Sequence, residues 1–310
     1  MKVISTFAGC GGSSLGYKLA GCEVIAAIEW DDNAIDCYRA NHPTTKIFHG
    51  DVAKVSGEEL LNATGLDVGE LDVLDGSPPC QGFSTAGSRV LSDPRNGLFR
   101  EQLRLIDELQ PKNVVIENVS GMVKGKMRRV AAEIVRELKS RDYQVTAGLL
   151  EAQYFGVAQL RPRVFFLGSK THQPKLPRPI TRPIPAKRAL RDIVPEATRE
   201  ITAPSMRLLV KHLRPGEKGS DVLGRLGRTP NWFSKLMLHP DRVCPTLTKS
   251  AGDYFHWTRR YLAANERLVL TGFPEDYKLI GTWRDRCARV GNSVAPPVTA
   301  AIARSLMSQG

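Results

Sequence analysis

Cys80 stands in the stretch Leu71–Ser84, LDVLDGSPPCQGFS, where a short apolar run with interleaved acids stops at Gly76 and two prolines follow. Pro78 and Pro79 fix their own φ and hold the residue before each of them extended. Cys80 therefore sits on a stiff loop at the end of a strand, and that loop has given up two backbone donors. In an open α/β sheet, ligands bind in the crevice beyond the carboxyl ends of the strands. A thiol there is a candidate nucleophile. The competing reading is a structural thiol, since free cysteine is among the most buried residue types. Glu117, in Glu117-Asn118-Val119, leaves a strand at Val114–Ile116 on the same edge. Gln159-Leu160-Arg161-Pro162-Arg163 adds two arginines at i and i+2, which share a face in extended backbone.

The elements that must position these groups open with a β-like run at Lys2–Phe7 and the turn Ala8-Gly9-Cys10-Gly11-Gly12-Ser13-Ser14. A helix follows through Leu15, Leu19 and Ala20. This is the strand, glycine turn and helix of a nucleotide-binding α/β fold, although Ser14 stands where the dinucleotide fingerprint has its third glycine. Gly9 and Gly11 permit close backbone approach to a ligand. Val24–Ile28 reads as a second strand with Glu29 at its tip, placed to accept from ribose hydroxyls, and Trp30 beside it can lie on an adenine face. Asp51, after the run Lys46–His49, ends a third strand and could accept from an adenine amino group. Helical spacing runs from Leu98 to Leu109, where Pro111 stops it, and again over Met127–Leu138 with a basic face. Gln144–Leu150 and Val164–Gly168 read as strands, and Gly291–Pro297 leads into a last helix at Val298–Met307. Gly82–Gly97 is polar, aperiodic and long for a loop inside a compact domain, and it reads as a mobile lid.

The 310 residues suffice for two lobes. No run has the length of a membrane span, and MKVISTFAGCGG lacks a signal-peptide pattern. A cytoplasmic protein is expected, without membrane contact. Six cysteines show no zinc-like spacing, so neither disulfides nor a metal site are expected. The formal net charge is +12; Lys170–Arg260 holds 19 Lys+Arg against 7 Asp+Glu, so 19 − 7 = 12 and the rest of the chain sums to zero. A basic segment on a neutral body is the footprint of a polyanion binder. It begins with Gln173–Ala186, QPKLPRPITRPIPA, whose five prolines read as a semi-rigid linker. Its aromatic residues, Trp232, Phe233, Tyr254, Phe255 and Trp257, read more readily as core than as base-stacking groups.

Taken in order, FAGCGG, Glu29-Trp30, PPCQ, ENV, QLRPR and GNSV resemble the cytosine-C5 DNA methyltransferase family of prokaryotic or phage type. The resemblance covers about residues 1–170 and 258–307. It implies a doubly wound, Rossmann-like α/β methyltransferase domain at 1–172, completed by about 289–310. A smaller, irregular target-recognition domain would occupy 173–258, with a hinge at 259–288. It implies S-adenosyl-L-methionine as methyl donor, held by Phe7, Gly9, Gly11, Glu29, Trp30, Asp51, Val52, Pro78, Leu98, Asn292 and Val294. Cys80, Glu117, Arg161 and Arg163 would act on the base, with Arg161 bracing the site. Leu160 departs from relatives that often carry a second basic residue there. Thr246-Leu247 resembles a pair from the family's recognition regions.

The partner implied is double-stranded DNA, bound by a monomer, with a cognate restriction endonuclease where the enzyme is half of a restriction-modification pair. Three rival readings remain. One is the same catalysis on transfer RNA, as in one branch of this family. A nicotinamide-dependent oxidoreductase would lack its signature glycine at Ser14 and leave PPCQ idle. A DNA-binding module that has lost catalysis would not need Cys80, Glu117 and Arg163 intact.

Overall fold

The computed structural model describes residues 1–79, 97–123, 125–226 and 232–309. They fall into two compact units. The first is Met1–Glu151, Pro162–Pro179 and Val294–Gly310; the second is Ala152–Arg161 and Ile180–Ser293.

The first unit alternates strand and helix: β1 (Lys2–Thr6), α1 (Gly12–Leu19), β2 (Glu23–Glu29), α2 (Asp32–Asn41), β3 (Lys46–His49), α3 (Gly57–Thr64), β4 (Val73–Gly76), α4 (Gly97–Leu109), β5 (Asn113–Val119), α5 (Arg128–Lys139), β6 (Gln144–Glu151) and β7 (Pro162–Ser169). The strands form one seven-stranded sheet in the order β3-β2-β1-β4-β5-β7-β6. β1 to β5 are parallel, and β7 runs antiparallel to both β5 and β6. The strand order reverses between β1 and β4, which is where doubly wound sheets bind their ligands.

Sequence explains why these elements form. The inner strands are buried on both faces, so they read as continuous apolar runs such as Val24–Ile28 and Val114–Ile116. α5 buries Val130, Ile134 and Leu138, a spacing of four, and leaves Arg128, Arg129, Arg136 and Lys139 exposed. α3 opens on a capping box between Ser56 and Glu59 and ends at Gly65 in the left-handed region. The last helix, Pro296–Met307, lies so close to α1 that a Cβ at Gly16 would fall 2.5 Å from both the Pro296 carbonyl oxygen and the Thr299 Cβ. The proline-rich stretch is pinned where it leaves this sheet: Pro174 accepts from Thr146 and Lys175 accepts from Ser305.

The second unit is irregular, as expected. Its described elements are α6 (Ala186–Ala189), α7 (Pro204–His212), α8 (Gly219–Leu226), β8 (Leu236–Met237), β9 (Tyr254–Phe255), α9 (Ala264–Leu270) and α10 (Trp283–Asn292); the helix at Pro296–Met307 is then α11. Trp232 and Phe255 are core residues here, packed with Leu209, Leu213, Val222 and Met237, whereas Phe233 is 80% exposed. The segment 259–288, expected as a separate hinge, belongs to this unit. Arg267 of α9 is fully buried and donates to the carbonyls of Thr248 and Ser250, which ties the helix into the basic segment. Residues 152–161, expected with the catalytic domain, also belong here. Among the described residues no helix is long and apolar enough to cross a membrane.

Candidate active site

At the carboxyl edge of the sheet, β1 runs into a turn with three left-handed residues: Phe7 at φ 54°, Gly9 at 56° and Gly11 at 93°. Glycine adopts this region freely, but Phe7 does so at a cost, and it is held by packing against the main core. The turn is aimed by Glu29, whose side chain lies inward at the end of β2. Its Oε2 accepts from the Gly9 amide at 2.7 Å, and its Oε1 accepts from the amides of Trp30 and Asp31 at 2.9 and 3.0 Å. An ionised carboxylate offers about four acceptor positions, of which the described residues fill three. The carboxylate expected to accept from ribose hydroxyls thus also builds the turn.

Trp30 is 76% exposed and presents a ring to solvent. Gly50 donates to the Glu29 carbonyl, which brings the end of β3 alongside, and Asp51 follows there, exposed, with Oδ1 accepting from Ala53. Val52 is buried behind it, Leu98 packs on the same core from the start of α4, and Pro78 and Val294 are buried. A left-handed glycine turn, a carboxylate at the end of β2 and an exposed indole fit an adenosine-bearing ligand.

The second group of residues stands on β5 and β7. Glu117 and Arg163 form an ion pair, Arg163 Nε to Glu117 Oε1, at 2.9 Å, with side chains only 12% and 16% exposed. Asn118, on the opposite face of β5, donates to the Pro78 carbonyl at 3.1 Å. The residue after Glu117 thereby fixes the loop that leads to Cys80. Gly76, the last residue of β4, has no room for a side chain: a Cβ there would lie 2.4 Å from Thr6 Oγ1 and 2.8 Å from the Gln102 Cδ. Cys80 itself, and the expected lid up to residue 96, lie outside the described residues.

Arg161 and Arg163 have different surroundings. Arg161 belongs to the second unit, is 3% exposed, and donates to the carbonyls of Leu247, Gly291 and Ser293 at 3.0, 2.9 and 2.7 Å. Those bonds brace the backbone of the second unit. Thr246-Leu247 is part of the same joint: Leu247 is buried and its amide donates to Gln159. Asn292, expected beside the methyl donor, is the exposed last residue of α10 and lies in the second unit, while Val294 lies in the first.

One residue of the edge had no role assigned from sequence. Asp75, inside β4, is 4% exposed; its Oδ2 accepts from Ser5 at 3.0 Å and from Ser13 at 2.7 Å, and its Oδ1 lies 3.3 Å from the Tyr17 hydroxyl. Burial pushes its carboxyl up to about 6, against the pull of those three hydroxyls. The signal was visible as an acid within an otherwise apolar strand. A polar hollow of about 480 Å³ at the opposite edge of the sheet, lined by Met1, Lys2, Glu23, Asp72 and Lys112, contains none of these residues.

The family model described as C-5 cytosine-specific DNA methylase matches residues 1–308. The chain belongs to this family. Two relatives of this methylase are the Type II methyltransferases M1.HphI of Haemophilus parahaemolyticus and M.NgoPII of Neisseria gonorrhoeae. Each is 30% identical over 99% of the chain, covering 87% and 96% of their own lengths respectively. Among solved structures, a DNA modification methyltransferase encoded within an E. coli prophage superposes with TM-score 0.78 at 24% identity, covering 99% of both chains. The S. pombe Dnmt2 methyltransferase gives 0.70 at 18%, over 100% of this chain and 99% of its own. At those identities the two structures establish a shared methyltransferase fold.

Proposed function

We propose that this methylase transfers a methyl group to C5 of a cytosine swung out of duplex DNA, with Cys80 as the nucleophile and S-adenosyl-L-methionine as donor. When bound, the donor supplies an electrophilic methyl group on a sulfonium. The turn at Gly9–Gly11, with Glu29, Trp30 and Asp51, would hold its adenosine. C5 of cytosine is a weak nucleophile, and addition of the Cys80 thiolate at C6 raises electron density there. C5 would then take the methyl, the sulfur–methyl bond breaking to leave a neutral thioether, and the adduct ends when the C5 proton passes to water and the Cys80 thiolate is expelled. At pH 7 a thiol of ordinary acidity is only about 3% ionised, a penalty of roughly 2 kcal/mol. That is small against a total barrier reduction of about 8 kcal/mol or more. The larger demand is stabilising charge on the ring as the thiolate adds.

The observation that carries this reading is the Glu117–Arg163 pair, on the strand next to the one that leads into Cys80. A carboxyl donating to N3 and a guanidinium donating to O2 would meet the charge demand. In the free chain, Arg163 at 2.9 Å favours the ionised carboxylate of Glu117. Glu117 must therefore gain a proton as the base enters. An O2 atom that draws Arg163 away weakens the pair at the moment the proton is needed. The target must leave the duplex to be reached.

The basic segment supplies the phosphate contacts. Exposed Lys187, Arg188 and Arg191 line a groove of about 510 Å³ with Trp257 and Arg260 in the second unit. Such contacts position a protein on DNA without reading sequence. The Type II names of the relatives support a cognate restriction endonuclease as partner to this methylase, which would itself act as a monomer.

The test offers labelled methyl donor with duplex genomic DNA or with transfer RNA to the wild-type chain and to Cys80→Ser. Label is expected in duplex DNA as 5-methylcytosine, at positions bisulfite sequencing would map, and not with the Ser variant. Label in transfer RNA alone, or full transfer by Cys80→Ser, would overturn the proposal.

A further inference from the structure

Asp75 is a buried carboxyl that the reaction as described leaves without a task, and its place in the sheet supplies one. It lies beside Ser5 of β1 and Val115 of β5 in the sheet register. Side chains two residues apart on a strand leave the sheet on one face. Ser5, Asp75, Val115 and Glu117 therefore share a face, with Glu117 one pleat nearer the carboxyl edge. Arg163, opposite Val119 in the antiparallel pair, shares it too. α1 covers the deep end of this row through Ser13 and Tyr17.

We propose that Asp75 is a positioning residue that favours the proton on Glu117 from beneath the site, while tying the glycine turn to the strand that delivers Cys80. The inference rests on the functional reading above and deepens it. Two buried carboxylates on one face cannot both ionise freely, so a charged Asp75 opposes the loss of a proton from Glu117. Glu117 in turn contributes to raising Asp75, after the dominant effect of burial. Among the described residues, the other side chains that bond to the Asp75 carboxyl are the neutral hydroxyls of Ser5, Ser13 and Tyr17. Tyr17 is held well above its ordinary range by burial and by Asp75, and Tyr38 is pushed up to about 12, chiefly by burial. From β7, Arg163 pulls Glu117 in the opposite direction. Glu117 thus stands between a cation on one side and an anion on the other. Removing the cation's hold as a base enters leaves the anion's influence, which is the sign the chemistry needs. The hydroxyls of Ser5, Ser13 and Tyr17 keep Asp75 charged above pH 7 despite its burial, since each stabilises the carboxylate.

The test is a carbon-13 titration of the full chain labelled at glutamate Cδ, with the Glu117 resonance identified by its loss in Glu117→Gln. Asp75→Asn is expected to lower the Glu117 midpoint by about one pH unit, the scale for two like charges on adjacent strands of one sheet face in a partly screened site. Arg163→Gln is expected to raise it. In single-turnover methylation, the alkaline limb of the pH profile should move down with Asp75→Asn. In the Glu117→Gln background, where the side chain donates at every pH, Asp75→Asn should leave the pH dependence unchanged. If Asp75→Asn does not fold, Asp75→Ser, which keeps a hydroxyl in the cluster, gives the same reading. An unmoved Glu117 midpoint in a folded variant overturns the inference, even if methylation is slower, because loose packing alone would slow the reaction without moving the titration. A wild-type chain that methylates no DNA would instead sink the functional reading, and the titration would still report on Asp75.

Discussion

Charge is handled in opposite ways by the two units. At the carboxyl edge of the sheet it is scarce, buried and partnered: Glu117 meets Arg163, Glu29 meets three amides, and Asp75 meets hydroxyls. In the second unit, Lys187, Arg188 and Arg191 are exposed, in a segment that carries the whole net charge of +12. Stabilising a transition state needs few charges, fixed and out of water. Holding a polyanion needs many, solvated and replaceable, because affinity comes from released counterions. The two arginines of QLRPR fall on either side of this division. Arg163 belongs to the edge where the chemistry is proposed, and Arg161 to the joint that holds the second unit together.

The largest expected effect separates those two arginines. Arg163→Ala should lower the single-turnover rate per folded molecule by about 10³-fold, the scale for losing one oxyanion donor. Arg161→Met should act on stability instead. It removes a buried guanidinium from three carbonyls, and chemical denaturation should report a loss of about 3 kcal/mol, while the rate per folded molecule stays near wild type. If both variants lost rate alike, the division between chemistry and scaffold would fail.

A second contrast sharpens the cost of a charge placed inside the sheet. Asp75 sits at about 6 in the fold, above the ordinary carboxyl value of 3.8. A raised carboxyl binds its proton more tightly when folded, so stability is highest at low pH and falls as pH rises from about 4 to 6. The charged form then costs up to about 3 kcal/mol. Asp75→Asn should therefore unfold less readily than wild type at pH 8, and the advantage should vanish by pH 4. His42 and His256, lowered to about 4 mainly by burial, work in the opposite direction and weaken the wild type as pH falls from about 6.5 to 4. The smallest effect belongs to the solvated charges. Replacing Lys187, Arg188 and Arg191 together by Ala should weaken duplex binding about tenfold at moderate salt. It should reduce the slope of log affinity against log salt by about 2 to 3. The rate at saturating DNA should be unaffected.

Much of the first unit was readable because parallel strands print themselves as apolar runs and because its turns demand particular residues. The strand ending at Glu29, the basic helix over Met127–Leu138 and the proline-started last helix all stand where the sequence places them, within the margin of frayed ends. Contacts across long separations were not readable. Asp75 finds Ser5 and Ser13 62 to 70 residues away, and no local pattern announces them. Arg161 and Arg163 share a face in an extended strand, but β7 begins at Pro162 and the boundary between units falls there. The second unit has two-residue strands and short helices, so periodicity had little to act on. Its proline stretch reads as a linker, yet its backbone is hydrogen-bonded: Ile180 and Thr181 both donate to the Tyr154 carbonyl.

The most direct measurement of the central chemical claim uses duplex DNA first shown to be methylated by this chain, with 5-fluorocytosine placed at the mapped cytosine and the methyl donor present. Fluorine blocks the final elimination, so the protein should remain joined to the DNA under denaturing conditions. Peptide mass mapping should place the link at Cys80. Efficient methylation of the ordinary duplex with no trapped adduct on the fluorinated one, or a link at any other residue, would contradict nucleophilic catalysis by Cys80.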